Sequence, residues 1–322
     1  MAKPNLPSPI SHLPILVAGP TAVGKSQIAL QLAERLAGEI ISVDSMQVYR
    51  GLDIGTAKPS PAERARVTHH LIDICDLTES FDAAQFARLA QQAVAEIQSR
   101  GRVPIFCGGT GLYFKAFVEG LGEAPSGDTK LRAELEAMPL EKLLEELRGH
   151  DPVAYEKIDK QNPRRVIRAV EVLRLTGRPV SAQRADWSSC HSSPTRHAKA
   201  SERRLVTRHF FCFTRKPADL HTRINARVDA MFAHGLVDET RELLKRGLAE
   251  NKTAMQAIGY RQVAEHLRGA RSLAETIELV KIRTRQFAKR QLTWFRARKN
   301  LEWIELKPDE MFEEILLRLK LA

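Results

Sequence analysis

The sequence predicts an α/β protein in which a parallel sheet flanked by helices carries an all-helical insertion. Three observations lead there. Gly19-Pro20-Thr21-Ala22-Val23-Gly24-Lys25-Ser26 lies between an apolar run, Pro14 to Ala18, and an amphipathic segment, Gln27 to Leu36. Further apolar runs then alternate with helical periodicity, the pattern of a parallel sheet covered on its faces. From Gly120 to Gly127 the composition changes. Segments rich in Leu, Glu and Arg follow, and no strand-like run returns until Val206 to Phe213.

Taken in order, Pro14 to Ala18 reads as a short buried strand bounded by Pro and Gly. The segment after the glycine-rich turn places Ile28, Ala29, Leu32 and Leu36 on one helical face. Two glycines five apart followed by Lys and Ser, with a strand before and a helix after, form a phosphate loop. Its backbone N–H groups curl around an anion, and the helix N-terminus adds partial positive charge. The core is therefore a P-loop NTPase-like sheet. Lys25 is placed to reach a terminal phosphate and Ser26 to hold magnesium.

Glu39 to Val43 reads as a second strand and His70 to Ile74 as a third. Phe81 to Arg100 reads as a helix, with Ser80 or Asp82 as its cap. Arg102 to Cys107 is a further strand, running into Gly108-Gly109-Thr110. In such sheets ligands bind beyond the carboxyl ends of the strands. The phosphate loop, Asp44-Ser45 and Gly108-Gly109-Thr110 are therefore expected to meet in one crevice. Residues 121–204 read as a helical insertion, with helices at Leu131–Met138, Leu140–Arg148 and Arg164–Thr176. Trp187 to Arg204 reads as a mobile loop. The core, 1–120, resumes over 205–322. Helices are expected at Ala218–His234, Leu236–Arg246, Thr253–Leu267 and Ser272–Lys299, with a last strand near Trp303 to Leu306.

Composition narrows the function. No apolar run approaches a membrane span, and Met1 to Leu13 lacks the apolar centre of a secretory signal. Cys75, Cys107, Cys190 and Cys212 are scattered, which suits free thiols in the cytoplasm and gives no zinc pattern. The net charge of +11 is concentrated: residues 196–300 carry 24 Lys and Arg against 10 Asp and Glu, whereas residues 1–195 carry 23 of each. Such a stretch suits a polyanion partner, nucleic acid above all. In the last long helix, Val280, Phe287 and Trp294 recur every seven residues as an apolar seam, with Lys281, Arg285 and Lys289 on the outward side.

The phosphate loop alone does not say which polyphosphate it holds, and an ATP-dependent small-molecule or nucleoside kinase is the default. Against it, Gly108-Gly109-Thr110 stands where many NTPases place a metal-binding Asp. Asp44, directly after a strand, either holds magnesium or acts as a general base. Arg223 and Arg227 are four apart on one helix and can face one anion. Arg164, Arg165 and Arg168 follow Pro163 at a helix start. A third reading is a non-catalytic RNA-binding module.

These stretches together resemble the bacterial tRNA dimethylallyltransferase (tRNA isopentenyltransferase) family. The resemblance rests on Gly19 to Ser26, Ser42 to Pro59, Gly108 to Tyr113, Ile258 to Gln262 and Thr284 to Trp294. It implies transfer of a dimethylallyl group from its diphosphate to the exocyclic amine of the adenine 3′ to the anticodon in tRNA. By this likeness Gly19, Pro20, Thr21, Ala22, Val23, Gly24, Lys25, Ser26 and Arg223 hold the diphosphate, Ser26 binds Mg2+, and Asp44 is the general base. Thr21, Lys25 and Arg223 act on the leaving group. Contacts to tRNA are expected from Asp44, Ser45, Met46, Gln47, Thr110, Arg132, Arg164, Arg165 and Arg168. Further contacts are expected from Gly259, Tyr260, Arg261, Gln262, Arg285, Gln286, Lys289, Arg290 and Gln291. The insertion would grip the anticodon stem-loop of a tRNA bound to a monomer. Family members often have Thr where Ser26 stands, and both hydroxyls suit magnesium.

Overall fold

The structure is a computed structural model that describes residues 13–121, 125, 127–183 and 209–320. The chain divides into two compact units, one of Met1–Glu119 with Arg204–Ala322 and one of Gly120–Arg203.

The first unit holds six strands: β1 (Ile15–Ala18), β2 (Gly38–Val43), β3 (His69–His70), β4 (Val103–Gly108), β5 (His209–Thr214) and β6 (Glu302–Glu305). They run in the order β3-β2-β4-β1-β5-β6, and every pairing is parallel. Helices cover both faces, so each central strand is apolar on both sides. Leu16, Ala18, Ile41, Val43 and Phe106 enter one core with Phe86, Phe114, Tyr260 and Phe295. Ile15, Val17, Ile40, Ile105, Phe211 and Phe213 enter the other with Ile28, Leu32, Ile224 and Val280. The register pairs Ala18 with Gly108 and Gly108 with Val43. β1, β4 and β2 therefore end level, and the three turns that leave them start from one edge.

The helices of this unit are α1 (Lys25–Arg35), α2 (Pro61–Arg66), α3 (Ala83–Ser99) and α4 (Gly111–Glu119), then α10 (Pro217–Ala233), α11 (Leu236–Lys245), α12 (Tyr260–Leu267), α13 (Leu273–Arg296) and α14 (Phe312–Leu319). Asp82 caps α3, accepting from the Ala84 and Gln85 amides. The second unit holds α5 (Thr129–Ala137), α6 (Leu140–His150), α7 (Pro152–Lys157), α8 (Pro163–Thr176) and α9 (Val180–Gln183). Its own core is built on Leu135, Leu143, Leu147, Val166 and Val170.

Several elements differ from the sequence-based expectation. The third strand is His69–His70, not His70 to Ile74, because Leu71 and Asp73 take φ of 61° and 55° and turn the chain. That turn brings the Asp73 carboxylate to Lys58 and Arg64. Thr253 to Leu267 is not one helix. A 3-10 turn, Ala254–Gln256, precedes α12, and Gly259 at φ 104° separates them. The strand expected from Val206 is described from His209, and the loop expected at Trp187 to Arg204 lies outside the described residues.

Candidate active site

The phosphate loop is shaped by residues that few side chains could replace. A Cβ on Gly19 would stand 2.6 Å from the Phe213 carbonyl oxygen, and Gly24 takes φ 108° at the start of α1. Gly24 has no side chain to cap the helix, so the first α1 amides are left for an anion. Side chains from distant elements fasten the loop from outside. Arg223 Nε donates to the Ala22 carbonyl (3.0 Å), Arg215 Nε donates to the Val23 carbonyl (2.8 Å), and the Thr21 amide donates to Gln291 Oε1 (2.9 Å).

Inside the loop, Lys25 Nζ donates to the Pro20 carbonyl at 3.1 Å. Burial draws the enclosed Lys25 ammonium below its ordinary pKa; Cys107 and Asp44 oppose that and Arg227 adds to it. Burial pushes the Cys107 thiol up to about 11 and Cys212 to about 12, so neither is a thiolate nucleophile near neutral pH.

Asp44 follows β2. Its Oδ1 accepts from the Met46 and Gln47 amides at 2.8 and 3.3 Å, which fixes the turn while Oδ2 makes no hydrogen bond to the described residues. The Ser45 amide donates to Thr110 Oγ1 at 3.3 Å, joining this turn to the one after β4. Gln47 Nε2 donates to the Thr56 and Ala57 carbonyls at 3.1 and 3.3 Å. Behind it, Lys58 Nζ donates to the Tyr49 carbonyl (2.6 Å) and to Asp53 (2.7 Å), and it also contacts Asp73.

Thr21, Lys25, Ser26, Asp44, Gln47 and Arg227 line one cleft. Lys25, Ser26 and Arg227 also line a hollow on the other side of the loop, with Ala22, Gly24 and Arg223. The three turns expected to converge do so, and the cations surround the loop. Arg227 had been paired with Arg223 only by its helical spacing. The fold places it, half-buried, in the cleft that Asp44 and Lys25 line, with Nη2 3.5 Å from the Thr56 carbonyl.

Other expected contacts are placed differently. Tyr260 is fully buried: its hydroxyl accepts from the Gly55 amide (3.0 Å) and donates to Glu239 (2.5 Å). Gln262 is buried as well, its Oε1 accepting from the Gly259 amide at 2.8 Å. Gln291 is buried, donating to the Gly109 carbonyl (2.9 Å) while accepting from Thr21. Each of these three side chains is hydrogen-bonded within the protein. Arg261 is exposed and paired with Glu265. On α13 the buried stripe is Thr276, Val280, Ala288, Gln291 and Phe295; of the expected seam, Val280 belongs to it, while Phe287 and Trp294 are half-buried, Trp294 packing against the core. Lys281 is tied to Asp229 and Glu278, and Arg285 donates to Asn225 Oδ1 at 2.6 Å. Gln286 accepts from Arg283, whereas Lys289 and Arg290 are exposed.

In the second unit Arg132 and Arg168 both grip the fully buried Glu171 carboxylate, at 2.7 and 2.6 Å, so their guanidiniums serve its core. Burial pushes the Glu171 carboxyl up, but these two hydrogen bonds outweigh it and hold the group below its ordinary range. Arg164 and Arg165 are exposed at the start of α8.

A cation-rimmed phosphate loop after β1 that shares a cleft with a carboxylate at the end of β2, with β4 between the two strands, defines a phosphate-loop group transferase. A family model described as IPP transferase matches residues 47–298, and the chain belongs to that family. It is 46% identical over 301 residues to a tRNA dimethylallyltransferase of Geobacter metallireducens, covering 90% of this chain and 92% of the relative. It is 48% identical over 292 residues to one of Halorhodospira halophila, covering 88% and 90%. Among solved structures, the full-length tRNA isopentenylpyrophosphate transferase of Bacillus halodurans matches with TM-score 0.65 and 39% identity, covering 95% of this chain and 94% of that one. A eukaryotic dimethylallyltransferase acting on tRNA matches with TM-score 0.73 and 28% identity, covering 91% and 74%.

Proposed function

We propose that this chain transfers a dimethylallyl group from dimethylallyl diphosphate to the exocyclic amine of the adenine 3′ to the anticodon in tRNA, releasing diphosphate. One observation carries the reading. A phosphate loop carrying Lys25, with Arg223 bonded to its backbone, shares a cleft with a carboxylate, Asp44, that has an oxygen to spare. That pairing suits a reaction in which diphosphate departs and an amine loses a proton.

The allylic C1–O bond breaks, and its electron pair leaves with diphosphate. The C1–N bond forms from the adenine amine, whose proton passes to Asp44 Oδ2. Fixed positive charge from Lys25, Arg223 and Arg227 stabilises the departing oxygens where charge develops. Thr21 offers its hydroxyl to the leaving oxygen, because its amide is already spent on Gln291. Asp44 contributes general base catalysis to a weak nucleophile. The adenine leaves its stack to enter the cleft.

No group of three or more His, Cys, Asp or Glu that could hold a metal is present among the described residues. The Ser26 hydroxyl at the start of α1 suits a magnesium carried on the diphosphate oxygens. Bound there, magnesium would supply charge neutralisation of the leaving group. Lys289, Arg290, Arg164 and Arg165 are the exposed cations that suit tRNA phosphates. No helix among the described residues is long and apolar enough to cross a membrane. A monomer acting in the cytoplasm fits this reading. The relatives' names give the kinase alternative no support.

The test is label transfer. Unmodified tRNA is incubated with the protein and either dimethylallyl diphosphate labelled in its prenyl carbons or ATP labelled in its γ-phosphate. Prenyl label in tRNA, with diphosphate released, is the expected result. Phosphate label on an acceptor, with no prenyl transfer, would overturn it.

A further inference from the structure

We propose that Gln291 is a positioning residue that sets the separation between the leaving-group side of the site and the base side. The inference rests on the proposed reaction, in which Thr21 faces the departing oxygen and Asp44 the amine.

Gln291 lies on α13, which is capped by Ser272 and anchored in the core through Val280, Ala288 and Phe295. Its side chain is buried and both ends are used. Oε1 accepts from the Thr21 amide, which can only donate, and Nε2 donates to the Gly109 carbonyl, which can only accept, each at 2.9 Å. The amide therefore has one orientation. A Cβ on Gly109 would stand 2.1 Å from Nε2, so a residue with no side chain is needed there.

From Gly109 the connection continues. Thr110 donates its amide to the Val43 carbonyl (3.2 Å) and accepts the Ser45 amide on Oγ1 (3.3 Å). Ser45 adjoins Asp44. One side chain thus fastens the phosphate loop after β1 to the turn after β4, which holds the turn bearing the base after β2. Strand pairing fixes where these turns begin, and Gln291 fixes how far apart they end. A displacement needs the amine, the allylic carbon and the leaving oxygen in line. Binding each substrate separately does not.

The experiment compares wild type, Gln291→Met and Gln291→Glu in steady-state prenyl transfer to an anticodon stem-loop, with stem-loop binding measured separately. Methionine keeps the length and loses both hydrogen bonds. Its kcat is expected to fall about 100-fold, the scale of an ångström-sized misplacement. KM for dimethylallyl diphosphate and the stem-loop Kd are expected to stay within about threefold, as for a group that acts on transition-state geometry. Glutamate keeps the acceptor for Thr21 but sets a carboxylate oxygen against the Gly109 carbonyl. Protonating it restores a donor, so the activity of Gln291→Glu relative to wild type is expected to rise as pH falls. Should Gln291→Met fail to fold, the glutamate variant carries the test. A wild-type kcat in Gln291→Met, a flat glutamate ratio, or lost stem-loop affinity with kcat intact would overturn the proposal. A wild-type protein that transfers no prenyl group would instead retire the proposed function.

Discussion

The half-buried side chain of Arg227, on α10, shares one cleft with the Asp44 carboxylate in the turn after β2. Burial lowers the Arg227 pKa, and Asp44 offsets part of that cost. A cation held in this way is poised for an anionic ligand, since desolvated charge acts strongly on a partner that enters the same space. Arg227→Met is expected to lower kcat/KM for prenyl transfer by about 100- to 1000-fold, the range seen when one charge-stabilising donor is removed. Arg227→Lys is expected to recover only part of this, because a point charge cannot reproduce the fork directed at the Thr56 carbonyl. Steady-state kinetics with saturating stem-loop check it; parity of Arg227→Met with wild type would leave Arg227 as a structural charge.

Asp44→Asn isolates the base. Asparagine keeps an Oδ1 to accept from the Met46 and Gln47 amides, so the turn persists. It cannot take a proton from the amine. Turnover is expected to fall by about 100- to 10,000-fold, the usual contribution of a general base. Stem-loop affinity is expected to hold within a few-fold. Single-turnover rates beside equilibrium binding separate the two, and a surviving rate with lost affinity would make Asp44 an RNA contact.

What the sequence displayed of this site follows from distance along the chain. The phosphate loop is one continuous segment whose glycines, Lys25 and Ser26 have meaning in place. Asp44 and Thr110 are legible because each lies in the turn that leaves an apolar strand. Gln291 is not, because its partner Thr21 lies 270 positions away. A polar residue on a basic helix resembles a nucleic-acid contact until its partner is known. For Tyr260, Arg132 and Arg168 too, the fold supplies partners that the sequence does not display: Glu239, Gly55 and Glu171. On α13 Phe287 and Trp294 lie half-buried at the margin of the buried line, with Trp294 packed against the core. Thr276 and Gln291 sit on that line, where a search for apolar residues passes over them.

Glu39 predicts how stability depends on pH. Its carboxylate is almost fully buried in β2 between Arg100 (2.8 Å) and His70 (2.6 Å). Burial pushes its pKa up, but hydrogen bonds from Arg100 and His70 outweigh that and hold it below the ordinary 4.5. A depressed carboxyl contributes stability that is present above its unfolded pKa and is lost as pH falls through its folded pKa. Glu39→Gln is expected to cost about 1–3 kcal/mol near neutral pH, the scale of a broken buried bond. The gap to wild type is expected to close on acidification from about pH 6 to about pH 3. Urea titrations across that range check it; a gap that does not change with pH would mean the carboxylate contributes by shape alone.

The last prediction separates cations that serve the fold from cations available to RNA. Lys281 is held between Asp229 and Glu278 at 2.8 and 2.9 Å, and Arg285 already donates to Asn225. Lys289 and Arg290, farther along the same helix, are exposed. An exposed cation that neutralises an RNA phosphate releases a counterion, whereas one already paired to carboxylates has little to release. Replacing Lys289 or Arg290 by Ala is expected to lower the slope of log affinity against log salt by about 0.7–0.9 each. Lys281→Ala is expected to leave the slope unchanged, and Arg285→Ala to move it less than Lys289→Ala. Fluorescence anisotropy of a labelled anticodon stem-loop, read from about 50 to 200 mM salt, measures all four. Equal loss of slope in Lys281→Ala and Lys289→Ala would mean that the ion pairs of Lys281 open on binding and that the whole basic side of α13 meets RNA. An unchanged slope in every variant would place the phosphate contacts on other elements, leaving Arg164 and Arg165 at the start of α8 as the next cations to replace.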